Sequence, residues 1–267
     1  MPIESKSPSS RNASLTRTPR VFKLDRSTCG TVAQQECLHR YKPMKVLGEG
    51  DVGKALLVHD DKLGDIVLKE VAVKNAAAKK QLHDEVCIGK ILGDAGIGPR
   101  VFDDAPWYCK GNGYYRMEQM AGTWASMLPT SKEWAKKKGK ARPISLAMVE
   151  SEPYKKLEQQ VVGVLERMIS MGVVHGDNHP DNTGIIKVEG GYHVVMFDFG
   201  FSLGYEIPQA LALQVLLGQL YIFLEHYDDA IFTSSYILDV IYEIRQNKYV
   251  WGSHAQYIGK PVAIKLG

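Results

Sequence analysis

Three polar residues in the second half of the sequence have the types and spacing needed for phosphoryl transfer. Asp177 and Asn182 lie on one short segment, residues 175–182, and Asp198 directly follows the apolar run 194–197. A strand formed by that run would carry Asp198 to the same place as the short segment. Oxygen atoms of Asn182 and Asp198 suit a Mg²⁺ ion, and Asp177 is left free to orient an attacking hydroxyl and accept its proton.

Three glycines in the first half, Gly48, Gly50 and Gly53, form a second candidate site. Their GxGxxG spacing alone is weak evidence, because an ordinary glycine-rich hairpin turn has it too. Residues 55–59 continue as a strand rather than as the helix that a dinucleotide site requires. The glycines therefore predict the tip of a β-hairpin whose backbone can lie close over triphosphate oxygens.

The elements that must position these residues follow from hydrophobic periodicity. β-like runs with turns between them fill the first half of the chain, and they lie at residues 44–48, 55–59, 66–73 and 114–120. One helix interrupts them, over 75–93, with Asn75 as its N-cap. After residue 120 the pattern is mainly helical, and the clearest helix covers 154–171. The predicted fold class is α+β, with a β-rich first half and a helical second half.

Composition and charge exclude several classes of protein. With 267 residues, 45% hydrophobic and 24% charged, and a formal net charge of +3, the chain is typical of a globular protein without a nucleic-acid footprint. The first ten residues lack the apolar region of a secretory signal, and the apolar stretch 208–224 is interrupted by glutamines, which predicts a buried helix and no membrane span. The cysteines lack CxxC spacing, which predicts reduced thiols and an intracellular, cytoplasmic or nuclear location. They are Cys29, Cys37, Cys87 and Cys109.

In this order, the glycine motif, Asp177, Asn182 and the Asp-Phe-Gly triplet that begins at Asp198 resemble the protein-kinase superfamily. The resemblance covers about residues 41–205. It implies a bilobal fold, with a five-stranded sheet and one helix in the first lobe, a hinge, and a short helical second lobe. It also implies that ATP lies in the cleft between the lobes together with Mg²⁺.

The resemblance divides the chain into a tail, 1–40, a first lobe, 41–118, and a second lobe, 119–267. The tail is rich in Ser, Thr, Arg and Pro, which predicts a mobile segment whose hydroxyls are candidates for phosphorylation. The second lobe contains a basic insert, 131–143. A solvated insert is its simplest interpretation, and an acidic partner, an RNA or a nuclear targeting signal are the alternatives.

A kinase also needs a lysine on the third strand that pairs with a glutamate on the helix. Glu85 is the candidate glutamate, because it shares a helical face with apolar residues and needs a partner there. Lys69 and Lys74 compete for the other role. Lys74 has the more typical neighbouring residues, but Lys69 leaves the chain more room to turn before the helix. The spacing favours Lys69.

Other residues receive roles only from the resemblance. Met117 takes the gatekeeper position, and main-chain groups of Glu118 and Met120 in the hinge would bind adenine. His175 is predicted to bind backbone near the catalytic loop rather than to act as a base.

The sequence departs from common protein kinases in two places. Gly176 replaces the arginine of His-Arg-Asp, and no Ala-Pro-Glu follows Gly200. The catalytic loop is similar to that of aminoglycoside and choline phosphotransferases, and the compact C-terminal lobe resembles the RIO kinases and the small kinase of the KEOPS complex.

Three functions are compatible with these features. The first is a serine/threonine protein kinase that also modifies its own tail. The second is a kinase of a cationic small molecule, with an acidic cluster formed by Glu225, Asp228 and Asp229. The third is a kinase-fold ATPase or a binding scaffold that acts with a partner.

Overall fold

The computed structural model describes residues 20–31, 41–50, 53–128, 151–225 and 235–264. The strands are β1 Val21–Lys23, β2 Pro43–Glu49, β3 Gly53–Asp60, β4 Gly64–Ala72, β5 Trp107–Cys109, β6 Asn112–Met117, β7 Gly122–Thr123, β8 Val173–Val174, β9 Thr183–Val188, β10 Gly191–Met196, β11 Leu203–Gly204 and β12 Glu206–Pro208. The α-helices are α1 Ala76–Asp94, α2 Trp124–Met127, α3 Glu152–Ser170, α4 Ala212–Glu225 and α5 Ser235–Arg245. The basic insert, Asp228, Asp229 and the segments 1–19 and 32–40 of the predicted tail lie outside the described residues. The architecture is α+β, as predicted.

A five-stranded antiparallel sheet forms the first half, in the order β2-β3-β4-β6-β5. Helix α1 begins where the sequence predicts, because the Asn75 side chain accepts a hydrogen bond from the Ala78 amide at 2.9 Å. Its apolar side chains Leu82 and Val86 pack on the sheet in one hydrophobic cluster. This packing fixes the position of α1 relative to β4 and β6.

The second half is built around a larger core that contains residues of α3, α4 and α5. It also contains a β9–β10 hairpin, of which the sequence predicted only the strand over 194–197. The hairpin forms because two short apolar runs flank a turn at Gly190, whose φ of 83° favours glycine. The hairpin ends at Met196, two residues before Asp198, and so positions that carboxylate.

Helix α4 contains much of the apolar stretch that the sequence predicts to be a buried helix. One side of it packs in the core, and that side includes Leu216, Leu220 and Phe223. No helix in the described ranges is both long and apolar enough to cross a bilayer.

Residues 20–31 form an ordered segment that we call the N-terminal strap. Strand β1 pairs with β12, and Leu24 is buried in the core of the second half. The mobile-tail prediction is therefore wrong for these residues. Composition did not reveal the contacts, because they join Val21 to Pro208, far away in the sequence.

A disulfide attaches the strap to helix α1. It joins Cys29 to Cys87 across a Cα–Cα distance of 5.1 Å, and Cys109 is also disulfide-bonded. The prediction of reduced thiols is therefore wrong, because the fold brings together cysteines that lie 58 residues apart in the sequence. Closing a loop of this length stabilises the fold by about 4 kcal/mol in the chain-entropy account. The intracellular location, which was inferred from those thiols, stays a prediction.

Candidate functional site

A lysine with a largely buried side chain, 14% exposed, lies between two carboxylates that come from different parts of the fold. Lys69 on β4 places its Nζ 2.7 Å from Glu85 Oε1 on α1 and 2.8 Å from Asp198 Oδ1 after β10. The predicted pairing of Lys69 with Glu85 is thus confirmed, whereas Lys74 is exposed beyond the end of β4. The lysine joins the sheet, the helix and the β9–β10 hairpin at one point.

Burial and the neighbouring charges shift the pKa values of Lys69 and Asp198 in opposite directions. Burial alone lowers the pKa of Lys69, but Tyr115 and the two carboxylates outweigh burial and raise this pKa well above its ordinary value. Burial alone raises the pKa of Asp198, but the Lys69 ammonium outweighs burial and lowers this pKa. Both Lys69 and Asp198 are therefore charged at neutral pH.

Asp198 itself adopts the left-handed backbone conformation, with φ 62° and ψ 64°. A residue with a Cβ atom costs about 1–2 kcal/mol there, although Asp and Asn tolerate the conformation better than most. Such strain is found most often at functional sites. The strained backbone directs the Asp198 carboxylate toward Lys69.

Sequence reasoning missed Tyr115, which completes this cluster. Its hydroxyl donates a hydrogen bond to Glu85 Oε1 at 2.7 Å, and the ring is buried between β6 and α1. The alternating pattern of β6, in which buried and partly exposed residues follow each other, could have placed Tyr115 on the buried face. A tyrosine at a buried position of a strand needs a polar partner, and Glu85 supplies it.

We expect Tyr115→Phe to lower the free energy of unfolding by about 1.5–3 kcal/mol, because a hydrogen bond to a charged group is lost. On the kinase chemistry that the sequence resemblance implies, the KM for ATP should rise several-fold, since Glu85 loses one of the groups that hold it. Urea unfolding and steady-state kinetics measure the two effects. Tyr114→Phe, at the neighbouring position of β6, should leave the KM unchanged; equal effects of both substitutions would contradict a special role for Tyr115.

The loop 175–182 holds the other two candidate residues side by side. Asn182 Nδ2 donates to Asp177 Oδ2 and to the Asp177 carbonyl, each at 3.0 Å. The Phe197 amide donates to the Asn182 carbonyl at 3.1 Å, so Asn182 is adjacent to the segment that carries Asp198. Asp177 is partly exposed and accessible to a substrate.

The structure explains why position 176, where the sequence departs from common kinases, is a glycine. Its φ is 81°, and a Cβ atom would collide with the Phe201 carbonyl oxygen. The close approach of the Phe201 backbone therefore requires glycine next to Asp177.

His175 has the structural role that the sequence predicts. Its ring is fully buried, and burial lowers its pKa, so the ring is neutral. Nε2 lies 2.9 Å from the Phe197 carbonyl and donates to it, and Nδ1 accepts from the Asp177 amide at 3.3 Å. The histidine thus links the loop to the end of the β9–β10 hairpin.

Gln219 on α4 anchors the same loop and was also missed. Its Oε1 accepts from the His175 amide at 3.3 Å, and its main-chain carbonyl accepts from Asn178 Nδ2 at 3.0 Å. In the sequence this glutamine only interrupts an apolar run. A buried glutamine in an otherwise apolar helix face indicates a polar partner, which is the signal that could have found it.

On the kinase chemistry that the sequence resemblance implies, we expect Gln219→Met to lower kcat and to leave the KM for ATP unchanged, because it disturbs the loop and not the lysine cluster. The unpaired His175 amide should cost about 1–3 kcal/mol of stability. Steady-state kinetics and thermal unfolding check both effects. Gln214→Met, at an exposed position of the same helix, is the matched control, and a kcat loss of the same size there would refute the anchoring role.

The glycine motif lies at the end of the β2–β3 hairpin, as predicted. Glu49 pairs with Lys54, and the Gly50 amide donates to the Gly53 carbonyl at 2.9 Å. A Cβ atom on Gly53 would collide with the Glu70 carbonyl of β4, whereas Cβ atoms on Gly48 and Gly50 would meet nothing within 4 Å. Close packing against β4 therefore explains why residue 53 is a glycine. The space beside Gly48 and Gly50 can take a ligand.

The residues after β6 offer main-chain groups to a base. The Glu118 amide already donates to the Arg100 carbonyl at 2.8 Å, so its own carbonyl is the group left for the adenine that the sequence resemblance implies. Met120 follows two residues later and is partly buried. Met117 is 6% exposed and belongs to the cluster beneath α1.

Among the described residues, no group of three His, Cys, Asp or Glu side chains could hold a metal ion. Magnesium does not need one, because it usually takes one or two protein oxygens together with phosphate oxygens and waters. Asn182 and Asp198 have the donor atoms for such a shared site.

Comparison with known proteins assigns no family. No family model and no curated protein matches the chain. The chemistry of the site therefore has to be argued from its geometry.

A row of exposed apolar side chains adjoins the loop. Phe201 is 67% exposed, Leu203 54% and Tyr205 46%, and all three follow the Asp-Phe-Gly triplet. The Phe201 carbonyl lies against Gly176. An acceptor bound at Asp177 would therefore lie near Phe201.

Proposed function

We propose that the chain is an ATP- and Mg²⁺-dependent phosphotransferase with a bilobal protein-kinase-like fold that acts on serine and threonine hydroxyls of proteins. One observation carries the proposal: Lys69 Nζ lies within 2.8 Å of both Glu85 and Asp198. A module that only binds a partner has no physical need for a largely buried ammonium that joins a sheet, a helix and a loop.

The residues of the site fit MgATP. Gly48 and Gly50 leave room for phosphates beside the hairpin, and Lys69 is a cation available to them. The Glu118 carbonyl and the Met120 main chain would hold the adenine. Bound ATP supplies the phosphoryl group, and Mg²⁺ neutralises its oxygens.

The protein's own contribution to the chemistry is positioning and proton transfer. Asp177 is the base that orients the acceptor hydroxyl and takes its proton. Asn182 fixes that carboxylate with one hydrogen bond and the Asp177 carbonyl with another, and it offers its amide oxygen to the metal. His175 is neutral and buried, so it holds the loop and transfers no proton.

The surface near Asp177 favours a protein acceptor over a cationic small molecule. Phe201 and its exposed apolar neighbours suit a polypeptide. Of the acidic cluster proposed for a cationic substrate, only Glu225 lies in the described part of the chain. The acidic or RNA partner of the basic insert stays a prediction from the sequence.

The test is to incubate the protein with Mg²⁺ and ATP labelled in its γ-phosphate, and to map the label by mass spectrometry. Asp198→Asn is the control variant, because Asn tolerates the left-handed backbone and lacks the charge. We expect label on serine or threonine, including those of residues 1–31, only in the parent protein. Binding of ATP without labelled protein would favour a small-molecule kinase or an ATPase, and a lack of ATP binding would leave the scaffold.

A further inference from the structure

The N-terminal strap connects two elements that hold the partners of Lys69. At its first end, β1 pairs with β12, whose first residue follows Asp198 by eight positions. Leu24 then packs in the core of the second half, at 7% exposure. This end is fixed to the segment downstream of Asp198.

The second end of the strap is fixed to helix α1 by contacts on both sides of Glu85. Gly30 O lies 2.9 Å from His83 Nε2, and Arg26 forms an ion pair with Asp84 at 2.6 Å. Cys29 forms the disulfide with Cys87, two residues beyond Glu85.

The disulfide dominates this attachment. The Arg26–Asp84 pair is solvent-accessible, and such pairs contribute little in water. The contact of His83 with Gly30 O is a single hydrogen bond. In the described part of the chain, what else joins α1 to the strap is these two polar contacts and the apolar core that Leu24 shares with Ile88 and Leu92.

We propose that the Cys29–Cys87 disulfide is a redox switch of the nucleotide site, and this inference rests on the proposed function. A dithiol reductant attacks the Cys29 sulfur, which is partly exposed, and the buried Cys87 leaves as the thiolate. The second thiol of the reductant then releases Cys29, so that two cysteine thiols form and the reductant becomes a disulfide. Release of the strap removes one of the attachments of α1, so that the helix moves more easily on the sheet and Glu85 contacts Lys69 less often.

The experiment compares the full chain in its oxidised form and after treatment with dithiothreitol. The affinity for MgATP is measured with a fluorescent ATP analogue, and hydrogen exchange is followed in α1 and β1. We expect reduction to raise the Kd for the analogue at least five-fold and to speed exchange around Glu85, and reoxidation should restore both.

Two variants separate this disulfide from the one formed by Cys109. Cys29→Ser should bind nucleotide as the reduced protein does and should not respond to dithiothreitol. Cys109→Ser should keep the full response. Cys29→Ser with Cys87→Ala repeats the measurement without the thiol that the single variant leaves buried.

The outcomes distinguish the switch from the proposed function. Equal affinity and equal exchange in the two redox forms would overturn the switch. A response that persists in Cys29→Ser and disappears in Cys109→Ser would also overturn it. If neither form binds nucleotide but exchange in α1 still depends on redox state, the proposed function is overturned and the redox-dependent release of α1 is supported.

Discussion

The Asp177→Asn protein should transfer phosphate about 10²–10⁴-fold more slowly than the parent protein, because it has lost the general base. The amide has the shape of the carboxylate and can still accept the hydrogen bond that Asn182 donates to Asp177 Oδ2. MgATP should therefore bind with unchanged affinity. Single-turnover rates and a fluorescent ATP analogue measure the two quantities separately.

Asp181→Asn makes the same change of charge on the same loop and serves as the control. Its rate should stay close to that of the parent protein. If Asp177→Asn kept the full rate, Asp177 would not be the base. If both variants lost rate equally, the loss would reflect the charge of the loop rather than proton transfer.

The Lys69→Met protein should lose at least 100-fold in kcat/KM for ATP, because the phosphates lose their cation and Glu85 loses its partner. Leaving a buried carboxylate unpaired should also cost about 3–5 kcal/mol of stability. Kinetics with varied ATP and urea unfolding measure these losses. Lys74→Met, at an exposed position, should change neither quantity.

A double variant separates the chemical role of Lys69 from its structural role. Lys69→Met with Glu85→Gln removes the unpaired charge and should recover much of the stability while activity stays lost. Recovery of activity along with stability would show that the lysine serves only the fold. A large loss in Lys74→Met would reverse the assignment of the two lysines.

Patterns within short stretches of the sequence predicted the parts of the site that depend on helix capping, hydrophobic periodicity and turn length. The N-cap at Asn75 and the period of α1 placed Glu85 on a core-facing side of its helix. The number of residues available for the turn then selected Lys69 over Lys74. The glycine spacing likewise located a hairpin, because the residues after Gly53 continue as a strand.

Contacts between distant parts of the chain were beyond such reasoning. Composition assigned Cys29 and Leu24 to a mobile tail, because their partners lie elsewhere in the sequence. Tyr115 and Gln219 were overlooked for a related reason. Each is one polar residue in an apolar pattern, and only the packed structure shows which group it satisfies.

The pairing of β1 with β12 also has a consequence for the order of assembly during synthesis. Val21 can reach Pro208 only after the 187 residues that follow Val21 up to Pro208 (208 − 21) have left the ribosome, because the two residues are partners in the strand register. At roughly 5–20 residues per second, this takes about 10–40 s. Cys87 emerges well before Pro208, so thiol oxidation has time to join Cys29 to α1 before the strand finds its partner. A newly made chain would then carry the covalent attachment first and acquire the β-pairing last.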